Sequence, residues 1–112
     1  MTYVFDIDGT ICEKLGEGQD YKQAAPIKER IEKVNELFDE GNTIIYLTAR
    51  GMGRHKNNQA AAINEFYMMT VGQLKEWKAK YHELYLGKPA ADFYIDDKGI
   101  KDEDFFRNEV RP

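Results

Sequence analysis

Two aspartates two residues apart, Asp6 and Asp8, stand where the apolar run Tyr3-Val4-Phe5 and Ile7 gives way to Gly9 and Thr10. Side chains alternate along a strand, so both carboxylates can point one way while Ile7 packs the other. A pair of acids held like this at a strand end can share a cation. Gly9 permits a sharp turn, and Thr10 adds a hydroxyl and a backbone N–H beside the acids. The plainer reading is a strand followed by an Asp-Gly turn whose aspartates cap backbone groups.

Further polar groups follow apolar runs in the same manner. Thr48, Ala49 and Arg50 follow the β-branched and aromatic run Thr43-Ile44-Ile45-Tyr46-Leu47. Gly87-Lys88-Pro89 follows Leu84-Tyr85-Leu86, and Asp96-Asp97 follows Phe93-Tyr94-Ile95. Each run has the composition of a strand. The first, over residues 3–7, lacks polar alternation, which suits a strand buried on both faces.

Helical periodicity fills the intervals. Ile27, Ile31, Val34 and Phe38 recur at helical spacing, with Pro26 at the first helical position and Gly41 as the stop. Residues 57–68 read as an Ala-rich helix. Thr70-Val71-Gly72-Gln73 reads as a capping box opening another, with Val71, Leu74, Trp77 and Tyr81 as its core stripe. Strands separated by helices predict a parallel sheet with right-handed crossovers, an α/β fold in one Rossmann-like three-layer domain over residues 1–112. Ligands of such sheets bind outside the carboxyl ends of the strands. That rule gathers Asp6, Asp8, Thr48, Lys88, Asp96 and Asp97 into one predicted site.

The 112 residues, 42% hydrophobic, suffice for one core and not two. With a net charge of −4 the chain lacks the basic stripe of a phosphate-backbone binder, so no nucleic-acid or anionic-membrane partner is expected. Asp6 and Asp8 interrupt the N-terminal apolar run, leaving neither a secretory core nor a membrane span, and a soluble cytoplasmic protein is expected. Cys12 on its own makes no intramolecular disulfide and no cysteine zinc site. It reads as a packing residue whose thiol the nearby carboxylates would make harder to ionise. His55 and His82 fit no zinc motif and read as surface residues.

The ordered motifs Asp6-x-Asp8-Gly9-Thr10, strand-end Thr48, Lys88 and Asp96-Asp97 resemble those of the haloacid dehalogenase superfamily. Leu47-Thr48-Ala49-Arg50, Gly87-Lys88-Pro89 and Tyr94-Ile95-Asp96-Asp97 more narrowly resemble its small capless members associated with capsule and other surface-polysaccharide synthesis. The resemblance implies a Mg²⁺-dependent phosphatase. Asp6 would attack phosphorus and form an aspartyl-phosphate, while Asp8 would protonate the leaving oxygen and then activate water. Thr48 would hydrogen-bond the phosphoryl oxygens, and Lys88 would neutralise charge on Asp6 and the transferred group. Mg²⁺ would be held by Asp6, the Asp8 backbone carbonyl, Asp96 and, directly or through water, Asp97, which alternatively orients Lys88. Gly9, Thr10, Ala49 and Arg50 are the substrate-side candidates, Arg50 as a bidentate anion ligand or else a solvated loop arginine. Arg54, His55 and Lys56 share its loop.

The long interval between Gly9 and Ala25 exceeds an ordinary strand-to-helix connection, and long ordered loops tend to be functional. The resembled family places a helical turn and a flap hairpin there, with Leu15-Gly16-Glu17-Gly18 as a mobile tip and Tyr21 facing substrate. The interval from Ala49 to Gly87 is already filled by predicted helices and a strand. Neither place can hold a cap domain, so the site should be open to a small phosphorylated metabolite, with sugar phosphates the leading class, or be covered by a neighbouring copy in a homo-oligomer. The competing function is a phosphoacceptor signalling domain without turnover, although receivers place the acidic pair first and this chain places it last. A relic that binds metal or a partner without turnover is a third reading, against which the intact motifs stand. After Ile100, Asp102-Glu103-Asp104-Phe105-Phe106 predicts a short packed helix and then a frayed end.

Overall fold

A computed structural model describes residues 1–16 and 18–108. Three strands, β1 (Thr2–Phe5), β2 (Thr43–Thr48) and β3 (Glu83–Leu86), form a parallel sheet in the order β1-β2-β3. Helices α1 (Lys28–Asp39) and α2 (Gln59–Glu76) make the two crossovers, and α3 (Asp102–Asn108) follows β3. A 3₁₀ turn, Tyr21–Gln23, lies in the connection after β1. No helix among the described residues is long and apolar enough to cross a membrane.

The register sets Phe5 opposite Tyr46, Tyr46 opposite Leu84, and Thr48 opposite Leu86. These side chains share one buried face with Ile44. They form the core with Ile31, Val34 and Leu37 of α1, Leu74 of α2 and Phe105 of α3. Each such side chain contributes about 1.5–3 kcal/mol relative to exposure, so this face anchors the sheet. The opposite face is thinner: Val4 on β1 and Tyr85 on β3 are exposed. The expectation that β1 is buried on both faces is therefore corrected, because β1 is an edge strand with β2 as its one partner among the described residues.

The first helix lies where the periodicity placed it, but it starts at Lys28 with Ile27 as its N-cap. Pro26 stands one residue outside, where its backbone bridges Cys12. The helix ends where predicted. Gly41 takes φ +98°, and the Gly41 and Asn42 N–H groups bond the Phe38 and Leu37 carbonyls, a closure that favours glycine. The two helices expected over residues 57–81 are one, running from an Asn58 cap through Gly72 to Glu76. The supposed capping threonine, Thr70, is fully buried, and its hydroxyl accepts from Arg50 instead of from a helix-starting N–H.

The fourth strand is absent. Phe93, Tyr94 and Ile95 are irregular in backbone, with Phe93 82% and Ile95 94% exposed. A parallel crossover takes a dozen or more residues. Only six, 87–92, separate β3 from this run, whereas whole helices precede β2 and β3.

Candidate active site

Asp6 follows β1 directly, and the chain then turns on itself. Gly9, at φ +86°, donates its N–H to the Cys12 carbonyl, and Thr10 and Ile11 donate theirs to the Ile7 carbonyl. The turn leaves Ile7, Ile11 and Cys12 fully buried and tilts both aspartates into an open cleft of about 950 Å³. The Thr10 hydroxyl donates to Asp6 Oδ2 at 3.4 Å, and Lys88 Nζ lies 3.8 Å from Asp6 Oδ1. Burial raises the Asp6 pKa above the ordinary aspartate value, with the Lys88 charge opposing that rise and Asp8 adding to it.

Two hydrogen bonds bring Lys88 to this corner. Its backbone N–H donates to the Thr48 carbonyl at 3.2 Å, and the Gly87 carbonyl accepts from Gln59 Nε2 at 3.0 Å, tying the turn to the start of α2. Its ammonium also lies 4.3 Å from the centroid of the Tyr94 ring. Thr48 is buried, its hydroxyl accepting from the Arg50 N–H at 3.2 Å.

Arg50 is where the sequence reading and the structure part most sharply. It is 1% exposed, neither a solvated loop arginine nor a free anion ligand. Its Nε and Nη2 donate to the two oxygens of Asp8 at 2.9 and 3.0 Å, and Nη1 donates to the Thr70 hydroxyl at 3.3 Å. The guanidinium also lies over the Tyr21 ring, 4.9 Å from its centroid. This fork fixes the Asp8 carboxylate in one orientation. Cys12 Sγ donates to Asp8 Oδ1 at 3.4 Å. Burial first, and then the Asp8 charge, push the Cys12 thiol up to about 12, in the direction expected from the sequence.

Asp6, Asp8, Thr48, Ala49, Arg50 and Lys88 thus line one cleft, with Tyr21 beside them. Tyr21 accepts the Gly51 N–H at 3.1 Å and packs edge-on against Phe66. Gly9 and Thr10 sit behind the aspartates, their N–H groups taken by the turn. Asp96 and Asp97 are not brought in. Both are exposed, and Asp96 Oδ1 accepts the N–H groups of Lys98 and Gly99 in a local turn, which holds its pKa below the ordinary value. The strand expected before this pair did not form, so nothing carries the two carboxylates to the cleft.

Lys14, Lys22, Arg54, Glu65 and Met69 also line the cleft. Arg54 lies in the loop it was expected to share with Arg50, whereas Lys14 and Lys22 of the connection after β1 and Glu65 and Met69 of α2 are marked by no spacing in the sequence. His55 pairs with Glu65 at 2.6 Å, as does Arg54 at 3.2 Å, so this loop is ion-paired to α2. The described part of the connection after β1 holds the 3₁₀ turn and isolated bridges instead of a flap hairpin. Glu17 of the expected mobile tip and the expected frayed end beyond α3 lie outside the described residues.

As a cation site the cleft is incomplete. Both Asp8 carboxylate oxygens are engaged by Arg50, Asp6 is paired with Lys88 and accepts from Thr10, and no group of three acidic, histidine or cysteine side chains able to hold a metal occurs among the described residues. Mg²⁺ takes near-octahedral oxygen ligation, commonly through one or two carboxylates, and here cationic Lys88 stands opposite Asp6.

No family profile and no curated protein matches the chain. Two solved structures are similar. A crystal structure of a target from Vibrio cholerae shares 28% identity and superimposes with a TM-score of 0.81 over 94% of this chain and 86% of that one. The D,D-heptose 1,7-bisphosphate phosphatase from B. bronchiseptica, crystallised with magnesium and phosphate, shares 11% identity with a TM-score of 0.54, over 81% of this chain and 51% of that one. With that phosphatase the chain shares its fold.

Proposed function

We propose that the protein is a phosphomonoester hydrolase acting through an aspartyl-phosphate on Asp6. The observation that carries this is a convergence. A half-buried carboxylate on one strand end, an ammonium and a hydroxyl facing it, and a second, rigidly oriented carboxylate all open into one cleft. An Asp6 oxygen attacks phosphorus in line, the ester P–O bond breaks, and Asp8 delivers a proton to the departing oxygen. Water then attacks the phosphoenzyme, Asp8 takes the water's proton, and the P–O bond to Asp6 breaks. Lys88 and Thr48 offset charge on the transferred phosphoryl group.

Mg²⁺ belongs to this reading, since it would screen the anionic phosphate from Asp6. The described residues of the cleft do not complete its site. The substrate side is an open cleft with no cap domain among the described residues, rimmed by the cations Lys14, Lys22 and Arg54, which suits a small phosphorylated metabolite. A sugar phosphate in cytoplasmic surface-polysaccharide synthesis is the class the motif resemblance supports.

One observation favours the phosphoacceptor alternative. Arg50 occupies both oxygens of the carboxylate that must activate water, which would prolong a phosphoenzyme. Phosphate release from sugar phosphates, nucleotides and an aryl phosphate, with and without Mg²⁺, separates the two. Metal-dependent release that Asp6→Asn lowers by at least about 10³-fold supports hydrolysis. Stable labelling of Asp6 by a small phosphodonor without release supports the acceptor.

A further inference from the structure

The run Phe93-Tyr94-Ile95 forms no strand, yet its middle residue is placed differently from its neighbours. Phe93 is 82% and Ile95 94% exposed, whereas Tyr94 is 53% exposed and lines the cleft. The Gly87-Lys88-Pro89 turn covers the rest of it. The Tyr94 hydroxyl donates to the Pro89 carbonyl, and the ring lies 4.3 Å from Lys88 Nζ.

The path of the chain brings the ring there. The Gly87 carbonyl accepts from Gln59, and the Ala90 N–H donates to Asn57 Oδ1 at 2.9 Å, so the backbone on both sides of Lys88 and Pro89 is tied to the segment that leads into α2. Pro89 adds a fixed φ between those ties. Within a few residues Tyr94 returns to the turn the chain has just left, and its hydroxyl closes the return.

We propose that Tyr94 is the positioning residue for Lys88: its ring, moored to Pro89, confines the ammonium beside Asp6. Lys88 Nζ is 3.8 Å from Asp6 Oδ1, too far for a hydrogen bond, so the ion pair alone does not fix a flexible four-carbon stem. A ring suits the task better than an acid. Asp97, to which the resemblance offers the orientation of Lys88, is exposed and does not pair with it. A carboxylate in that place would offset the charge that Lys88 brings to the phosphoryl group and compete for it. The face of a neutral ring attracts the ammonium through its quadrupole and leaves the full charge for the transferred group.

The effect on turnover rests on the hydrolase reading, whereas the hold on Lys88 does not, and the tests keep them apart. In proton NMR the methylene next to the Lys88 ammonium, assigned by its loss in Lys88→Met, should resonate upfield of other lysines in the wild type and in Tyr94→Phe. In Tyr94→Leu it should return to the common lysine position. The urea midpoint of Tyr94→Leu should stay at the wild-type value, because so much of Tyr94 is exposed, and lost turnover is then not a lost fold. With an aryl phosphate, whose good leaving group keeps weak variants measurable, Tyr94→Leu should lower kcat about 10-fold at a KM within about twofold, and Tyr94→Phe should keep kcat within about threefold of wild type. In the Lys88→Met background, Tyr94→Leu should lower kcat by less than about twofold, since a residue acting through Lys88 has nothing left to act on. An ordinary Lys88 resonance in the wild type, an upfield one that persists in Tyr94→Leu, a loss confined to KM, or a full 10-fold loss on top of Lys88→Met would each overturn the proposal. An upfield Lys88 in a protein that releases no phosphate from any substrate leaves the hold of the ring standing and removes the hydrolase reading.

Discussion

β3 and the run Phe93-Tyr94-Ile95 are near equals in sequence, each a short apolar stretch followed by polar groups suited to a strand-end site. Leu84 and Leu86 are buried in the sheet, and Lys88 just beyond them reaches Asp6. Phe93 and Ile95 lie in solvent, and Asp96 caps its own turn. What separates them is the chain that precedes each. The 18 residues of α2 carry the backbone to the amino edge of the sheet before β3, whereas six residues cannot bring it there again. An apolar run is only a candidate strand, and a reachable edge makes it one.

The contrast can be broken at its strongest point first. Arg50→Ala should cost about 3–5 kcal/mol in urea unfolding, because it empties a fully buried site and leaves Asp8 without its partner. A cost below 1 kcal/mol would mean that the fork does not hold this corner. Next, Leu84→Ala should cost about 2–4 kcal/mol and Ile95→Ala under about 0.5. Equal costs would show that Ile95 is packed within the fold.

Smaller effects sharpen the picture. Lys78 sits at φ +59° just past α2, where Lys78 and Ala79 donate to the Lys75 and Leu74 carbonyls in the same closure that Gly41 makes after α1. Lys78→Gly should therefore stabilise by about 1 kcal/mol, seen as a higher urea midpoint at unchanged slope. The smallest shift is expected of Asp6→Asn at neutral pH, since about a third of the Asp6 side chain reaches solvent. The folded state raises the Asp6 pKa above 3.8, so it binds more protons than the unfolded chain and loses stability as pH rises above 3.8. Asp6→Asn should thus be the more stable protein at pH 7, and the advantage should fade as pH falls to 3.8 and below. Attack by Asp6 on phosphorus, as proposed, needs its carboxylate ionised. Lys88→Met, which removes the charge that lowers the Asp6 pKa, should move the acidic limb of any rate profile to higher pH.

Much of the candidate site was legible because its carriers are local. Asp6, Gly9 and Thr10 share one turn, Thr48 and Ala49 end a strand of β-branched and aromatic residues, and Lys88 follows a strand by two residues. The role of Arg50 was not legible. Its position suggested a ligand for substrate, but its partners are 42 residues earlier at Asp8 and 20 later at Thr70. Nor was the cleft rim, where Lys14 and Lys22 of the connection after β1 converge with Glu65 of α2.

The sequence by itself determined the α/β class, the parallel strands β1 to β3, the helix after Pro26 and the corner of Asp6, Thr48 and Lys88. These follow from periodicity and turn chemistry acting over a few residues. Tertiary structure alone decided that α2 is one helix, that Arg50 grips Asp8, and that Phe93-Tyr94-Ile95 joins no sheet within the described chain. Each of those depends on which groups meet across the fold and on whether the connecting backbone is long enough to let them, and neither distance nor reach is written in a local pattern.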